Sequence, residues 1–206
     1  MTKPSPWRNA VVVASGPSLT PQQCSLIAAA RANDRCRVMV VNTTFRALPD
    51  ADCLYACDDK WWRAHIAEVD RAFIRGELWT TDEKARDGLG ICWLGIKHRP
   101  GLSRDPLYLH SGGNSGYQAI NLAFHWGARR ILLVGFDMRR TDGRSHWHGD
   151  HPRPLSNPQT PETWVRNFTP LADDLVAEGV EVINCTPGSA LGQFPRADLA
   201  ATLAAL

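Results

Sequence analysis

Apolar residues come in short blocks separated by polar stops. Val11 to Ala14 is a continuous run that ends at Ser15-Gly16-Pro17-Ser18, and a run without polar alternation fits a strand buried on both faces. Thr20 is placed to cap a following helix, with Pro21 at the first helical position and Gln23 three residues after the cap. Val38 to Val41 ends at Asn42, and Cys53 to Cys57 ends at Asp58-Asp59, so both predict strands that deliver a polar group at their carboxyl ends. Lys60 to Phe73 carries Trp61, Ala64, Ile66, Val69 and Phe73 at helical spacing. Glu77 to Thr80 and Ile91 to Leu94 predict short strands, and Gly95 to Pro106, with its glycines and prolines, predicts an excursion over the surface.

The clearest unit is in the middle of the chain. Ser111-Gly112-Gly113-Asn114-Ser115-Gly116 precedes a helical pattern through Tyr117, Ile120, Ala123 and Phe124 that closes at Gly127, and the β-run Ile131 to Val134 follows, leading to Asp137. Residues 138–160 are polar and rich in His and Pro, with no period of either kind, and a loop of that length suggests function. Pro161 to Glu178 predicts a helix stopped by Gly179, Val180 to Asn184 a strand, and Asp198 to Leu206 a short helix. Strands alternating with helices imply parallel neighbours joined by crossovers. The expected fold is therefore a single α/β domain over residues 1–206, Rossmann-like, with a mostly parallel sheet covered by helices on both faces.

Composition narrows the classes of function. With 206 residues, 44% hydrophobic and 21% charged, the chain is expected to form a core without staples. Basic and acidic residues stand at 23 against 21, which gives no reason to expect a nucleic-acid field over the whole surface. The basic side is 19 Arg and 4 Lys, a choice that suits planar phosphate recognition and equally a GC-rich coding sequence. Six scattered cysteines without paired C-x-x-C spacing predict buried thiols in a reducing compartment. The first residues lack an apolar signal region and no apolar run reaches bilayer length, so the expectation is a cytoplasmic protein with no membrane partner. The oligomeric state stays open, a homo-oligomer included.

In an open parallel sheet, ligands bind beyond the carboxyl ends of the strands, and the polar stops named above become the candidates. Ser15, Gly16, Pro17 and Ser18 offer an amide and two hydroxyls before a helix start, suited to a phosphate or ribose, or a plain turn. Gly113, Asn114, Ser115 and Gly116 bare the backbone for an anion or nucleotide, or simply tighten helix-to-sheet packing. His146-Trp147-His148-Gly149-Asp150-His151 concentrates imidazoles: one of His146, His148 and His151 as general base oriented by Asp150, a transition-metal cluster, or solvated side chains. Asp58, Asp59 and Asp137 suit a magnesium-nucleotide, although Asp59 is equally placed to cap the helix that follows. Trp61 and Trp62 could stack on a base or face the core.

Taken in order, VVVASGPSL, the strand ending at Asn42, GGNSGYQAINLAFHWGARRILLVGFDM and VINCTPGSAL resemble the superfamily that joins archaeal 6-hydroxymethylpterin diphosphokinase-like proteins to the bacterial sialyltransferases of glycosyltransferase family 42. With WWRAH and HWHGDHP included, the pattern looks closest to a compact version found in phages and prophages, which would place it in host cytoplasm. The sialyltransferase branch implies a nucleotide-sugar donor held by Gly16, Ser18, Asn42, Asn114, Ser115 and Gly116, a loop histidine as base, and no required cofactor. That branch's leaving-phosphate tyrosines have no counterpart, since Tyr55, Tyr108 and Tyr117 all come earlier, but Arg139, Arg140 or Arg144 could take their place. The diphosphokinase branch implies ATP and Mg, with Asp58, Asp59 or Asp137 near the metal. The expected function is a nucleotide-dependent group transferase, glycosyltransferase-like, acting on an unspecified acceptor. The alternatives are the diphosphokinase, a non-catalytic phage-associated binding module, and a metal-dependent hydrolase built on the histidine loop.

Overall fold

In the computed structural model, which describes residues 6–73, 76–141, 143–150, 155 and 161–206, the Val11 run is the strand β1 (Asn9–Val13) at the interior of a seven-stranded sheet. The other strands of that sheet are β2 (Arg37–Val41), β3 (Cys53–Tyr55), β4 (Glu77–Thr80), β5 (Cys92–Trp93), β8 (Arg130–Val134) and β9 (Glu181–Asn184). Their order is β5, β4, β3, β2, β1, β8, β9, and every pair is parallel. The chain steps outward from β1 to β5, then returns to the far side of β1 to add β8 and β9. That reversal makes a switch point between β1 and β8, where an open parallel sheet leaves a crevice beyond its carboxyl ends.

Side chains of the central strands alternate between two cores. Val12, Met39 and Leu133 pack with Tyr117 and Ile120 of α4 (Ser115–His125) and Phe168 and Leu171 of α5 (Pro161–Ala177). Val11, Val13, Val40 and Leu132 face the other way, against Ile27 of α1 (Pro21–Ala32), Trp62 and Val69 of α2 (Asp59–Ala72), and Leu199 and Leu203 of α6 (Leu199–Ala204). The strands are apolar on both faces because helices cover both. Trp62 is wholly buried in the second core and builds the helix-to-sheet contact, whereas Trp61 stacks on His65 beside it and also lines the cavity beyond the strand ends. The Thr20 capping box forms as the sequence predicts, with Thr20 Oγ1 accepting from the Gln23 amide and Gln23 Oε1 from the Thr20 amide.

One expectation is corrected, and one element that the pattern left unassigned is added. The segment after Leu94 is no simple surface excursion: β6 (Gly95–Lys97) pairs in parallel with β7 (Tyr108–His110) as a second, two-stranded sheet, and Gly101, Leu102 and Ser103 are buried. Tyr117 donates to the Gly101 carbonyl (2.9 Å), Asp174 accepts from the Leu102 amide (2.8 Å), and Asn121 accepts from the Ser103 amide (2.9 Å). Polar side chains on α4 and α5 thus satisfy a buried irregular backbone. Second, α3 (Glu83–Leu89) is a helix the hydrophobic pattern did not show; Asp82 caps its start and Gly90, at φ 67°, ends it. All six cysteines are free thiols. No helix among the described residues is long and apolar enough to cross a membrane.

Candidate functional site

A cavity of about 790 Å³ opens beyond the carboxyl ends of β1, β2, β3 and β8, with the N-terminus of α4 as one wall. Gly16, Asn42, Asn114 and His146 all line it, although they lie far apart in the chain.

At the switch point the loops after β1 and β8 touch. The Gly16 amide donates to the Gly135 carbonyl (2.8 Å), and a Cβ on Gly16 would stand 2.0 Å from Asp137 Oδ2. Asp137 is 2% exposed; its Oδ1 accepts from the Ser18 amide (3.1 Å) and its Oδ2 from the Ser18 hydroxyl (2.9 Å). Burial raises the Asp137 carboxyl pKa, and the two Ser18 bonds pull it back. Ser18 therefore spends its amide and hydroxyl on Asp137 rather than on a bound phosphate. Asp137 and Ser15 remain in the cavity wall, while Pro17 and Ser18 are not part of it.

Asn42 opens a 3₁₀ turn (Asn42–Arg46) with φ 52°, a left-handed backbone that Asn tolerates better than most residues. Across the cavity, Gly113 (φ 95°) presents its Cα to Trp164 of α5, where a Cβ would lie 2.8 Å from the indole. Gly116 leaves similar room for Phe136 (2.9 Å). These glycines serve packing as well as access. Asn114 caps α4, its Oδ1 accepting from the Tyr117 amide (2.9 Å), and its buried Nδ2 has no hydrogen-bond partner among the described residues. Ser115 donates to Cys57 Sγ (3.0 Å), a thiol that burial, then the nearby Asp58, push up to about 12. From below, Tyr55 donates to Gln118 Oε1, and Gln118 donates to the Ser111 carbonyl (3.1 Å), tying β3 to the glycine loop.

The acidic wall differs from expectation in its cap. Asp58, not Asp59, is the N-cap of α2, and it makes no side-chain cap bond. Asp59 is the first helical residue; its Oδ2 accepts from Arg63 Nε (2.8 Å), and its buried Oδ1 has no partner among the described residues. Asp82, Lys84 and Trp164 also line the cavity without having been singled out from the sequence. Asp82 carried a cap signal; nothing local marked Trp164. Arg139 and Arg140 supply positive charge on the β8 side of the cavity.

The histidine loop resolves into distinct places. His146 lines the cavity with Nδ1 3.1 Å from Ser15 Oγ, and the Trp147 amide donates to the Ser15 carbonyl (3.0 Å). His148 stacks on His146 at 5.1 Å, with planes 5° apart, and does not line the cavity. Asp150, expected to orient an imidazole, instead pairs with Arg140 (3.8 Å), both side chains exposed. His151 lies outside the described residues, as does most of 151–160.

Burial lowers the pKa of His110, His125 and His146 below the ordinary 6.5. Rings freed by unfolding titrate near 6.5, so below that pH the unfolded chain takes up protons first and stability falls as the solution is acidified. Asp137, raised, acts in the opposite sense, nearer the carboxylate range. The urea midpoint at pH 5.5 should lie below that at pH 7.5; a midpoint that stays level or rises would show that these rings are not held neutral by the fold.

Among the described residues, no group of three or more His, Cys, Asp or Glu is arranged to hold a metal ion by itself. Comparison of the chain with family models and with curated proteins finds no match.

Proposed function

We propose that this chain is a nucleotide-dependent group transferase of glycosyltransferase type, with a nucleotide-sugar donor in the switch-point cavity and His146 as general base. One observation carries the reading: Gly16, Asn42, Asn114 and His146, from four separate segments, share the wall of a single cavity at the carboxyl rim of a parallel sheet. The α4 N-terminus offers amides and the positive end of its dipole to a phosphate. The Asn114 Nδ2 is a buried donor that a ligand acceptor would satisfy. His146, neutral at pH 7, takes the proton of an acceptor hydroxyl as its oxygen bonds the sugar carbon. The bond from that carbon to the phosphate breaks, and Arg139 and Arg140 are close enough to the cavity to neutralise the leaving nucleotide. This reading needs no metal.

The Asp59 Oδ1 favours a second reading, transfer of a diphosphate from ATP with Mg. Magnesium is held by one or two carboxylates with phosphates and water completing the shell. Asp58 and Asp59 fit that donor set, whereas both oxygens of Asp137 are occupied by Ser18. The ion would supply charge neutralisation at the transferring phosphoryl groups.

Isothermal titration with CMP, UDP, GDP, their sugar conjugates and ATP, each with and without Mg²⁺, separates these. Metal-independent binding of a nucleotide or its sugar is the expected result. Mg-dependent ATP binding, with none for nucleotide sugars, would select the diphosphokinase. Failure of every nucleotide would leave a non-catalytic binding module.

A further inference from the structure

We infer that Ser15 is the positioning residue of the His146 imidazole: its hydroxyl receives the Nδ1 proton and so assigns the lone pair of the ring to Nε2. The inference rests on His146 being the base, and it moves Ser15 out of the nucleotide-binding group in which the sequence alone puts it.

Four observations support it. Ser15 Oγ and His146 Nδ1 are 3.1 Å apart, within hydrogen-bond range, and Ser15 is buried. The adjacent bond from the Trp147 amide to the Ser15 carbonyl (3.0 Å) fastens the same stretch of loop to the same residue, so the ring and its backbone are held together. Ser15 itself is fixed on both sides, because Ala14 donates to Val134 and Gly16 to Gly135, each at 2.8 Å. The rim of the two central strands therefore takes part in setting the position of the imidazole. Finally, the parallel stack with His148 resists rotation of the ring out of this plane.

The direction of the bond follows from chemistry. A hydroxyl can donate or accept, so the role of the ring decides: Nδ1 is the nitrogen that faces Ser15 Oγ, and an imidazole that acts as base through its other nitrogen, Nε2, carries its proton on Nδ1, which makes the Ser15 oxygen the acceptor. The charged groups acting on His146 among the described residues are Asp150, which favours the cation, and Arg140, which opposes it, and they pair with each other. A hydroxyl adds no charge of its own. Compared with the carboxylate that orients many catalytic imidazoles, it stabilises the imidazolium less and leaves the ring neutral and ready to accept a proton near pH 7.

Long-range ¹H–¹⁵N correlation spectra of uniformly labelled protein at pH 8 report the tautomer directly, with the His146 signals assigned by their loss in His146→Gln. The expected wild-type state is Nδ1–H. Ser15→Ala should shift the tautomer ratio toward Nε2–H by roughly fivefold, the factor one neutral hydrogen bond supports, while Ser15→Thr, which keeps the hydroxyl, should restore it. Ser15→Ala should also bind CMP and UDP as the wild type does. An Nε2–H tautomer in the wild type, an unchanged ratio in Ser15→Ala, or a tenfold loss of nucleotide affinity in Ser15→Ala would each overturn the assignment. The wild-type tautomer needs no substrate, so a failure of nucleotide binding in the wild type sinks the transferase reading without being mistaken for a failure of the Ser15–His146 bond.

Discussion

Replacing Gly16 with alanine is expected to destabilise the protein by about 3 kcal/mol, the upper range for overpacking a close contact. The added Cβ would meet Asp137 Oδ2 at 2.0 Å, Gly135 O at 2.4 Å and Asp137 Cγ at 2.8 Å. One of these neighbours is backbone, and the other is a carboxyl held at both oxygens by Ser18, so no change of rotamer relieves the overlap. Moving the loop after β1 would break the Gly16 to Gly135 bond and shift Ser15, and His146 with it. For a chain of this size the loss corresponds to a melting temperature lower by roughly 6–12 °C. Gly192→Ala is the control: a Cβ there has nothing within 4 Å, and the change should stay within about 0.5 kcal/mol. Equal melting temperatures for Gly16→Ala and wild type would mean that the β1 and β8 loops do not pack as described.

His146→Ala carries the largest expected effect on activity. Removing a general base costs on the order of 10² to 10⁴ in turnover, and the loss should fall on kcat with the donor, leaving nucleotide affinity near the wild-type value. His148→Ala should be milder, because His148 supports the ring of His146 by stacking and lies outside the cavity wall. The pair is measured by steady-state turnover of whichever nucleotide sugar binds, alongside titration of the free nucleotide. Full activity in His146→Ala would remove the base from the proposed mechanism, and equal losses in both variants would point to a collapsed loop instead.

Most strands and long helices were legible from local pattern, because a strand buried on both faces must be apolar throughout and a helix between two such strands must be apolar along one stripe. The Thr20 capping box was legible too, since it is completed within three residues of chain. β6 and β7 were not. Their two-stranded sheet and the buried turn at Gly101 depend on Tyr117, Asn121 and Asp174, side chains that sit on helices remote in sequence and look like ordinary helical positions until the fold forms. The candidate site divides in the same way: Gly16, Asn42 and Asn114 stood out as polar stops after apolar runs, whereas Trp164 and Lys84 reach the cavity with no local mark.

By itself the sequence determined the fold class and the set of polar residues at the carboxyl ends of the strands, because backbone periodicity and capping act over a few residues. Only the tertiary structure decided what each of those residues faces. Ser18 could equally have met a phosphate; it meets Asp137 because Gly16 and Gly135 let two loops approach. Asp150 stood nearest the histidines in sequence, but Ser15, 131 residues from His146, holds the ring. Such pairings depend on how strands order themselves in the sheet, and the return of the chain that sets β8 beside β1 is a property of the assembled core that no short window of sequence contains.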